Sequence, residues 1–137
     1  MRIEYPITFV YYKDLAPAID FYQKTLGLPL AIDQGWCKIY AVGPAGYLGL
    51  VDESRGSLRA TPDKAVLLTF VVDDVGAWHR HLVASGVRVK GEPRLHQEIG
   101  VEGFFAFDPG GYQLEFQRFV SPAAGPNPAP RGGGPAI

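Results

Sequence analysis

The sequence predicts an α+β fold built from two copies of one βαβββ module. A strand, an aspartate-capped helix that ends at a glycine, and further strands occur in that order in each half of the chain. Asp14-Leu15 matches Asp74-Val75, and Leu26-Gly27-Leu28 matches Ser85-Gly86-Val87 after one deletion. A small repeated unit must bury a sheet face against a neighbour, so we expect two curved mixed sheets around a cleft.

The first module is predicted over residues 5–56. A β-rich run over 7–12 precedes Asp14, a helix N-cap candidate, and Gly27 supplies the C-terminal stop. Between them, apolar residues recur at helical spacing: Leu15, Ala18, Ile19, Tyr22 and Leu26. Three strands follow, at 28–33, 36–42 and 47–51, and the last two are joined by a proline- and glycine-bearing turn.

The second module is predicted over residues 64–119, after an exposed polar connection. It comprises a strand at 65–72, a helix from Asp74 to Gly86, a short strand at 87–89, a loop over 91–100 and a hairpin. The helix carries Trp78 on its apolar face, whereas His79 and His81 flank that face and are expected at its boundary or surface. They point about 200° apart, so they cannot chelate one ion together.

The closing hairpin has an aromatic first strand, an Asp-Pro-Gly-Gly turn at 108–111 and an alternating second strand over 112–119. Proline presets φ and the glycines are expected to take positive φ. Period-two alternation places three polar side chains on one face of the second strand, opposite the apolar face. They are Gln113, Glu115 and Gln117.

Composition limits the classes of function. The net charge is −1, and no Lys/Arg cluster indicates nucleic acid. Cys37 is the only cysteine, which excludes an intrachain disulfide, and no apolar stretch is long enough for a signal peptide or a membrane span. We therefore expect one cytoplasmic domain over 1–120 with no membrane or nucleic-acid partner. A Pro/Gly/Ala-rich flexible tail is expected over 121–137.

The order of these motifs resembles the vicinal oxygen chelate superfamily, which includes glyoxalase I, bleomycin-resistance proteins, fosfomycin-resistance proteins and extradiol dioxygenases. The motifs are Phe21-Tyr22, Leu26-Gly27-Leu28 and the closing Phe-Asp-Pro-Gly-Gly-Tyr-Gln-Leu-Glu-Phe, and the resemblance covers residues 5–119. It implies paired βαβββ modules and a homodimer.

The resemblance also implies four metal-ligand positions, typically His, Glu, His and Glu. In this chain they fall on Ile7, Gly49, Leu67 and Glu115. The first three carry no donor atom, and a shift of one residue, to Thr8, Leu48 and Leu68, restores none. One carboxylate does not hold a divalent ion of this class, so no metal and no cofactor is expected.

The predicted site is a mostly apolar and aromatic cleft. Residues that share a face with the four positions are expected to contact a small organic ligand. They are Phe9, Tyr11, Tyr47, Thr69 and Gln113, with His96 from the neighbouring loop and Glu115 as the candidate catalytic group. Trp36 is better explained by core packing.

Three functions agree with this pattern. The first is metal-independent binding of a small organic ligand. The second is a metal-free lyase or isomerase in which Glu115 acts as acid or base, because a carboxylate in an apolar cleft has a raised pKa. The third is a non-catalytic interaction module. Fold alone does not choose among them.

Overall fold

The computed structural model describes residues 1–121, which form two compact units, residues 1–62 and 63–121. Each unit contains one four-stranded mixed sheet covered on one face by a helical segment. This confirms the α+β prediction of two βαβββ modules. The predicted tail lies outside the described residues, apart from Ser121. No helix in the described part of the chain is long and apolar enough to cross a membrane.

The first unit begins with β1 and continues through a short helix, a π-helical turn and three strands. The bounds are β1 Ile7–Tyr12, α1 Leu15–Asp20, the π-helical turn Phe21–Thr25, β2 Leu30–Asp33, β3 Cys37–Val42 and β4 Gly46–Asp52. The strand order is β1-β4-β3-β2, in which β1 pairs parallel with β4 and the other pairs are antiparallel.

The π-helical turn explains the deletion that is needed to match the two halves. Its amide–carbonyl bonds include Leu26 N donating to Phe21 O at 2.9 Å, which spans five residues instead of four. Such a turn accommodates one extra residue within a helix. The sequence predicts one continuous helix here, and the structure instead shows α1 followed by the π turn.

The second unit repeats this organisation. Its bounds are β5 Leu67–Val71, α2 Val75–Ala84, β6 Val89–His96, β7 Val101–Phe107 and β8 Gln113–Phe119. The strand order is β5-β8-β7-β6, with β5 and β8 parallel.

The loop predicted over 91–100 is wrong, because most of it belongs to the edge strand β6. The register between β6 and β7 shifts between Lys90 and Arg94, around Gly91 and Pro93. An edge strand tolerates a proline and a bulge, since one side of its backbone needs no ladder partner. His96 therefore ends a strand and does not lie within a loop.

Equivalent helix ends confirm the internal repeat. Tyr22 and Leu82 are both fully buried, at 0% exposure. Each accepts a hydrogen bond from the residue after the helix-ending glycine, at 2.9 Å from Leu28 N and 3.0 Å from Val87 N. The two glycines, Gly27 and Gly86, both have positive φ, at 70° and 76°.

The helix-covered side of the second sheet is an aromatic stack. Trp78 of α2 lies 5.2 Å from Phe116, which lies 5.4 Å from Phe104. His79 meets the Phe104 ring edge-on at 5.0 Å, and its Nε2 lies 3.0 Å from the Gly91 carbonyl. The expectation that His79 lies at a boundary or surface is therefore wrong: it is buried, because the bulged β6 supplies a polar partner for the ring.

The predicted turn between β7 and β8 is confirmed. Buried Asp108 accepts hydrogen bonds from the amides of Gly110 and Tyr112, both at 2.9 Å, through its Oδ1 atom. Of the two glycines, Gly111 alone takes positive φ, at 89°, so the expectation for Gly110 is wrong. The turn fixes the register that sets Phe105 opposite Glu115.

Candidate functional site

Each sheet has an open face, on the side opposite its helix. In the first unit, β1 alternates between Val10 and Tyr12, which are buried, and Phe9 and Tyr11, which belong to the open face. The floor of the open face is a buried cluster of Cys37, Ile39 and Val51, packed against Ile7, Tyr11 and Tyr47. This face is apolar, apart from its tyrosine hydroxyls.

The Phe9 ring covers the position of Gly49, its neighbour in register on β4. A methyl group added at Gly49 would lie 2.6 Å from Cε1 of Phe9 and closer still to Cδ1. Real Cβ atoms do not approach other atoms this closely, so the ring can take this position against β4 only because residue 49 is glycine. Ring and glycine therefore form one complementary feature.

A cavity of about 500 Å³ opens on this face. Its lining residues come from β1, from the segment before β3, from β3 and β4, and from the loop after β4. They are Phe9, Tyr11, Gln34, Trp36, Cys37, Val51, Arg55, Gly56 and Ser57. The Tyr11 hydroxyl lies 3.2 Å from Ser57 Oγ. The cavity thus has aromatic walls and a small number of hydrogen-bonding groups, as ligand sites commonly do.

Hydrogen bonds within the loop after β4 fix its conformation. The Asp52 carboxylate accepts from the Ser54 amide at 2.9 Å and from the Ser54 hydroxyl at 2.7 Å. The bond from the Ser54 hydroxyl, followed by the bond from the Ser54 amide, holds the pKa of Asp52 below its ordinary value. The charge of Arg55 lowers this pKa further. Arg59 Nη1 donates to three carbonyls, including Glu53 O at 2.7 Å. The loop therefore holds Arg55 and Ser57 at the cavity.

The open face of the second unit carries Glu115. Its register partners are Thr69 on β5 and Phe105 on β7, and Gln113 lies on the same face of β8. Glu115 is half-buried, and burial raises the pKa of its carboxyl, while the charge of His96 acts in the opposite direction. Desolvation disfavours the charged form of the carboxyl, so its pKa is raised by burial.

A second cavity, of about 290 Å³, lies beside the bulge of β6. It is lined by Lys90, Gly91, Glu92, Arg94, His96, Gly103, Phe104 and Phe105. His96 thus lines this cavity, and its charge lowers the pKa of Glu115. Glu115 itself does not line the cavity.

The predicted site residues fall into two groups, one in each unit. Phe9 and Tyr11 line the larger cavity, but Tyr47 does not, and its ring packs 5.1 Å from Tyr5. Thr69, Gln113 and Glu115 share the open face of the second unit. Their contact with a ligand, and the cleft expected between the sheets, stay predictions.

Sequence reasoning missed part of the cavity lining. The sequence favours core packing for Trp36, whereas the structure shows it 37% exposed at the cavity. Arg55 and Ser57 belong to a segment that the sequence marks only as a polar connection. No local signal marks these residues, because Ser57 approaches Tyr11 across 46 positions of the chain.

The donor set does not fit the four-ligand metal site that the resemblance implies. Ile7, Gly49 and Leu67 have no metal-binding atom, and the Phe9 ring covers the second of these positions. Within residues 1–121 no three His, Cys, Asp or Glu side chains are grouped as a metal site would require. A reaction step through a metal at these four positions therefore has no basis in this chain.

Comparison with protein families places the chain in a defined class. Residues 5–116 match the family model described as Glyoxalase/Bleomycin resistance protein/Dioxygenase superfamily, and the chain belongs to that superfamily. The resemblance stated from the sequence is thereby confirmed. A comparison with curated proteins found no match.

Several solved structures share the fold at low identity. Lactoylglutathione lyase from Agrobacterium tumefaciens is 22% identical, with a TM-score of 0.66, over 82% of this chain and 90% of that chain. A glyoxalase/bleomycin resistance protein/dioxygenase from Nocardioides is 17% identical, with a TM-score of 0.71, over 100% and 90%. TioX from Micromonospora sp. ML1 is 16% identical, with a TM-score of 0.70, over 84% and 98%. These likenesses concern the fold alone.

Proposed function

We propose that this protein binds a small organic ligand without a metal, in the cavity on the open face of the first unit. The observation that carries the proposal is the Phe9 ring lying over Gly49, where the superfamily's ligand pattern has a glutamate. Glycine at position 49 removes the carboxylate, and the Phe9 ring supplies an aromatic wall in its place. The cavity volume of about 500 Å³ lies in the range of small-molecule sites, which is roughly 300–1,000 Å³.

The nature of the lining supports binding more strongly than metal chemistry. A transition-metal site of the kind that the superfamily's pattern implies has three or four donor side chains, and burying the ion beside aliphatic groups carries a desolvation penalty that one carboxylate does not offset. Phe9, Tyr11 and Trp36 instead offer flat apolar area, and the hydroxyl of Ser57 offers a hydrogen bond. These groups suit an organic molecule.

A second candidate function is a metal-free lyase or isomerase that uses Glu115. The observation that favours it is the raised pKa of this half-buried carboxyl, which brings it closer to the range in which an acid–base catalyst works. In this case Thr69 and Gln113, on the same face, would hold the substrate. Conversion of a bound compound that is lost in Glu115→Gln would select this function.

We also propose that the protein is a homodimer. The open face of the second unit leaves Leu67 and Val71 exposed, at 44% and 62%, on either side of Thr69. Large apolar residues that stay exposed on a sheet face favour association. Light scattering at micromolar concentration should give about twice the 14.9 kDa chain mass, and a mass near that of one chain would contradict the proposal.

The test of ligand binding is a thermal-shift screen of small organic compounds in the presence of a chelator, with native mass spectrometry of the compounds that stabilise the protein. Trp36→Ala removes one wall of the cavity, whereas Leu58→Ala changes an exposed side chain of the loop after β4 that does not line the cavity. We expect stabilising compounds to lose their effect in Trp36→Ala and to keep it in Leu58→Ala. Stabilisation that requires added nickel, zinc, manganese or iron would contradict the proposal.

A further inference from the structure

The cavity of the first unit also indicates the chemical class of its ligand. We infer that this ligand is an aromatic anion, with its ring system between the aromatic walls and its negative group at the guanidinium of Arg55. The inference rests on the proposed function, and it specifies the charge and the shape of the ligand.

The negative charge of the ligand is inferred from the residues that line the cavity. Among the nine residues of the described chain, 1–121, that line the cavity, Arg55 is the only charged one, and none of the nine carries a carboxylate. Within residues 1–121 no carboxylate oxygen lies within 4.0 Å of its guanidinium as an ion pair. A guanidinium presents a fork of donors that matches a carboxylate or phosphate, and it is weakly hydrated, so it suits anion recognition in a partly enclosed site.

The two acidic residues that precede Arg55 in the chain, Asp52 and Glu53, are already engaged in hydrogen bonds with other groups. Asp52, whose pKa responds to the charge of Arg55, accepts two hydrogen bonds from Ser54. Glu53 accepts from the Ala60 amide at 2.7 Å through Oε2. The other arginine of the loop, Arg59, donates to three backbone carbonyls and does not line the cavity. Arg55 is thus left available to a ligand, while its neighbours hold the loop in place.

The aromatic character of the ligand is inferred from the aromatic side chains that form the walls of the cavity. The Phe9 ring lies against Gly49, and the rings of Tyr11 and Trp36 complete an aromatic lining. Aromatic faces prefer offset or edge-on contact with another ring. A methyl group at Gly56 would lie 2.6 Å from Val51 Cγ1 and 2.7 Å from Tyr11 Cε1, so the loop approaches the sheet as closely as its atoms allow. This close approach brings Arg55 and Ser57 to the same cavity as the rings.

The inference can be tested with three probes that share one ring system and differ in charge. They are 2-naphthoate, 2-naphthamide and 2-naphthylmethylammonium, titrated by calorimetry into the full-length protein at low and high salt. We expect 2-naphthoate to bind at least tenfold more tightly than the other two, and to weaken as salt rises. Cyclohexanecarboxylate, which keeps the anion and loses the aromatic ring, should bind more weakly than 2-naphthoate.

Variants separate the role of Arg55 from general charge. Arg55→Gln should remove the preference for 2-naphthoate over 2-naphthamide, and Arg55→Lys should restore part of it, because lysine keeps the charge without the fork. Arg80→Gln is the matched control: it makes the same charge change at an exposed position on α2, outside the cavity lining. Arg55 is itself exposed, and we expect all three variants to fold as the wild type does.

Equal binding of the three probes, or an unchanged preference in Arg55→Gln, would overturn the inference and leave the proposed function standing. The same holds if no probe binds at millimolar concentration while the compound screen finds another metal-independent ligand. Binding of a probe only after a divalent metal is added would overturn the inference and the proposed function together.

Discussion

The contact between Phe9 and Gly49 predicts a measurable coupling between two positions. In the wild-type protein, Gly49→Ala forces the Phe9 ring away from the sheet, because the added methyl group would lie 2.6 Å from Cε1. In a Phe9→Ala background the three atoms nearest to that methyl group are absent, because all three belong to the Phe9 ring. The substitution should therefore have opposite effects on stability in the two backgrounds.

The magnitude follows from burial. Phe9 is 42% exposed, so a little more than half of it is covered. Full burial of a phenylalanine side chain stabilises by about 1.5–3 kcal/mol, so losing the covered part should cost about 1–1.5 kcal/mol. Replacing a strand glycine by alanine returns about 0.5–1 kcal/mol through reduced backbone entropy of the unfolded chain. We therefore expect a net loss of up to about 1 kcal/mol in the wild type, a gain of about 0.5–1 kcal/mol with Phe9→Ala, and a coupling near 1–1.5 kcal/mol.

The assay is a double-mutant cycle in urea, in which the free energy of unfolding is measured for the wild type, the two single variants and the double variant. Equal denaturant slopes across the four proteins would show that the comparison concerns stability alone. Additive effects, with the same free-energy change from Gly49→Ala in both backgrounds, would refute the packing of Phe9 on Gly49 described above.

Three further outcomes are expected. Gly103→Ala should destabilise by about 1–3 kcal/mol, measured by urea unfolding, because a methyl group there would lie 2.9 Å from the Phe116 carbonyl oxygen, which has no freedom to rotate away. Asp108→Ala should cost about 1.5–3 kcal/mol in the same assay, because two backbone amides of the turn lose their acceptor. Burial raises the pKa of Glu115, so its native state holds the proton more tightly than the unfolded chain, and stability is lost as pH rises from the ordinary value of 4.5 through the folded pKa. Glu115→Gln should thus be more stable than wild type at pH 7 and lose that advantage below about pH 4, where both states of the wild type are protonated.

Most of the fold follows from local chemistry in the sequence. Asp14 and Asp74 precede the helices, and Gly27 and Gly86 end them in the left-handed region that glycine adopts most readily. Even the deletion between the halves has a physical counterpart, the π-helical turn. The bulged edge strand β6 could not be read in this way, because Gly91 and Pro93 are as typical of a loop as of an edge bulge.

The candidate site was less predictable than the fold. Period-two alternation identified Phe9, Tyr11 and Glu115 as open-face residues, since the face of a strand is a local property. Arg55 reaches the cavity through hydrogen bonds within the loop after β4, and the sequence there shows only polarity. Residues that come together through a loop conformation leave no periodic trace.

The most direct test of metal-independent binding is a calorimetric titration of one stabilising compound into protein that was purified without chelator, analysed for metal content, and divided into two samples. One sample receives a chelator. The other is divided into four portions, which receive one equivalent of nickel, zinc, manganese or iron, respectively. We expect the same dissociation constant in all samples and less than stoichiometric metal before any addition. A metal held stoichiometrically with micromolar affinity and lost in Glu115→Gln, together with compound binding that the chelator abolishes, would contradict the account.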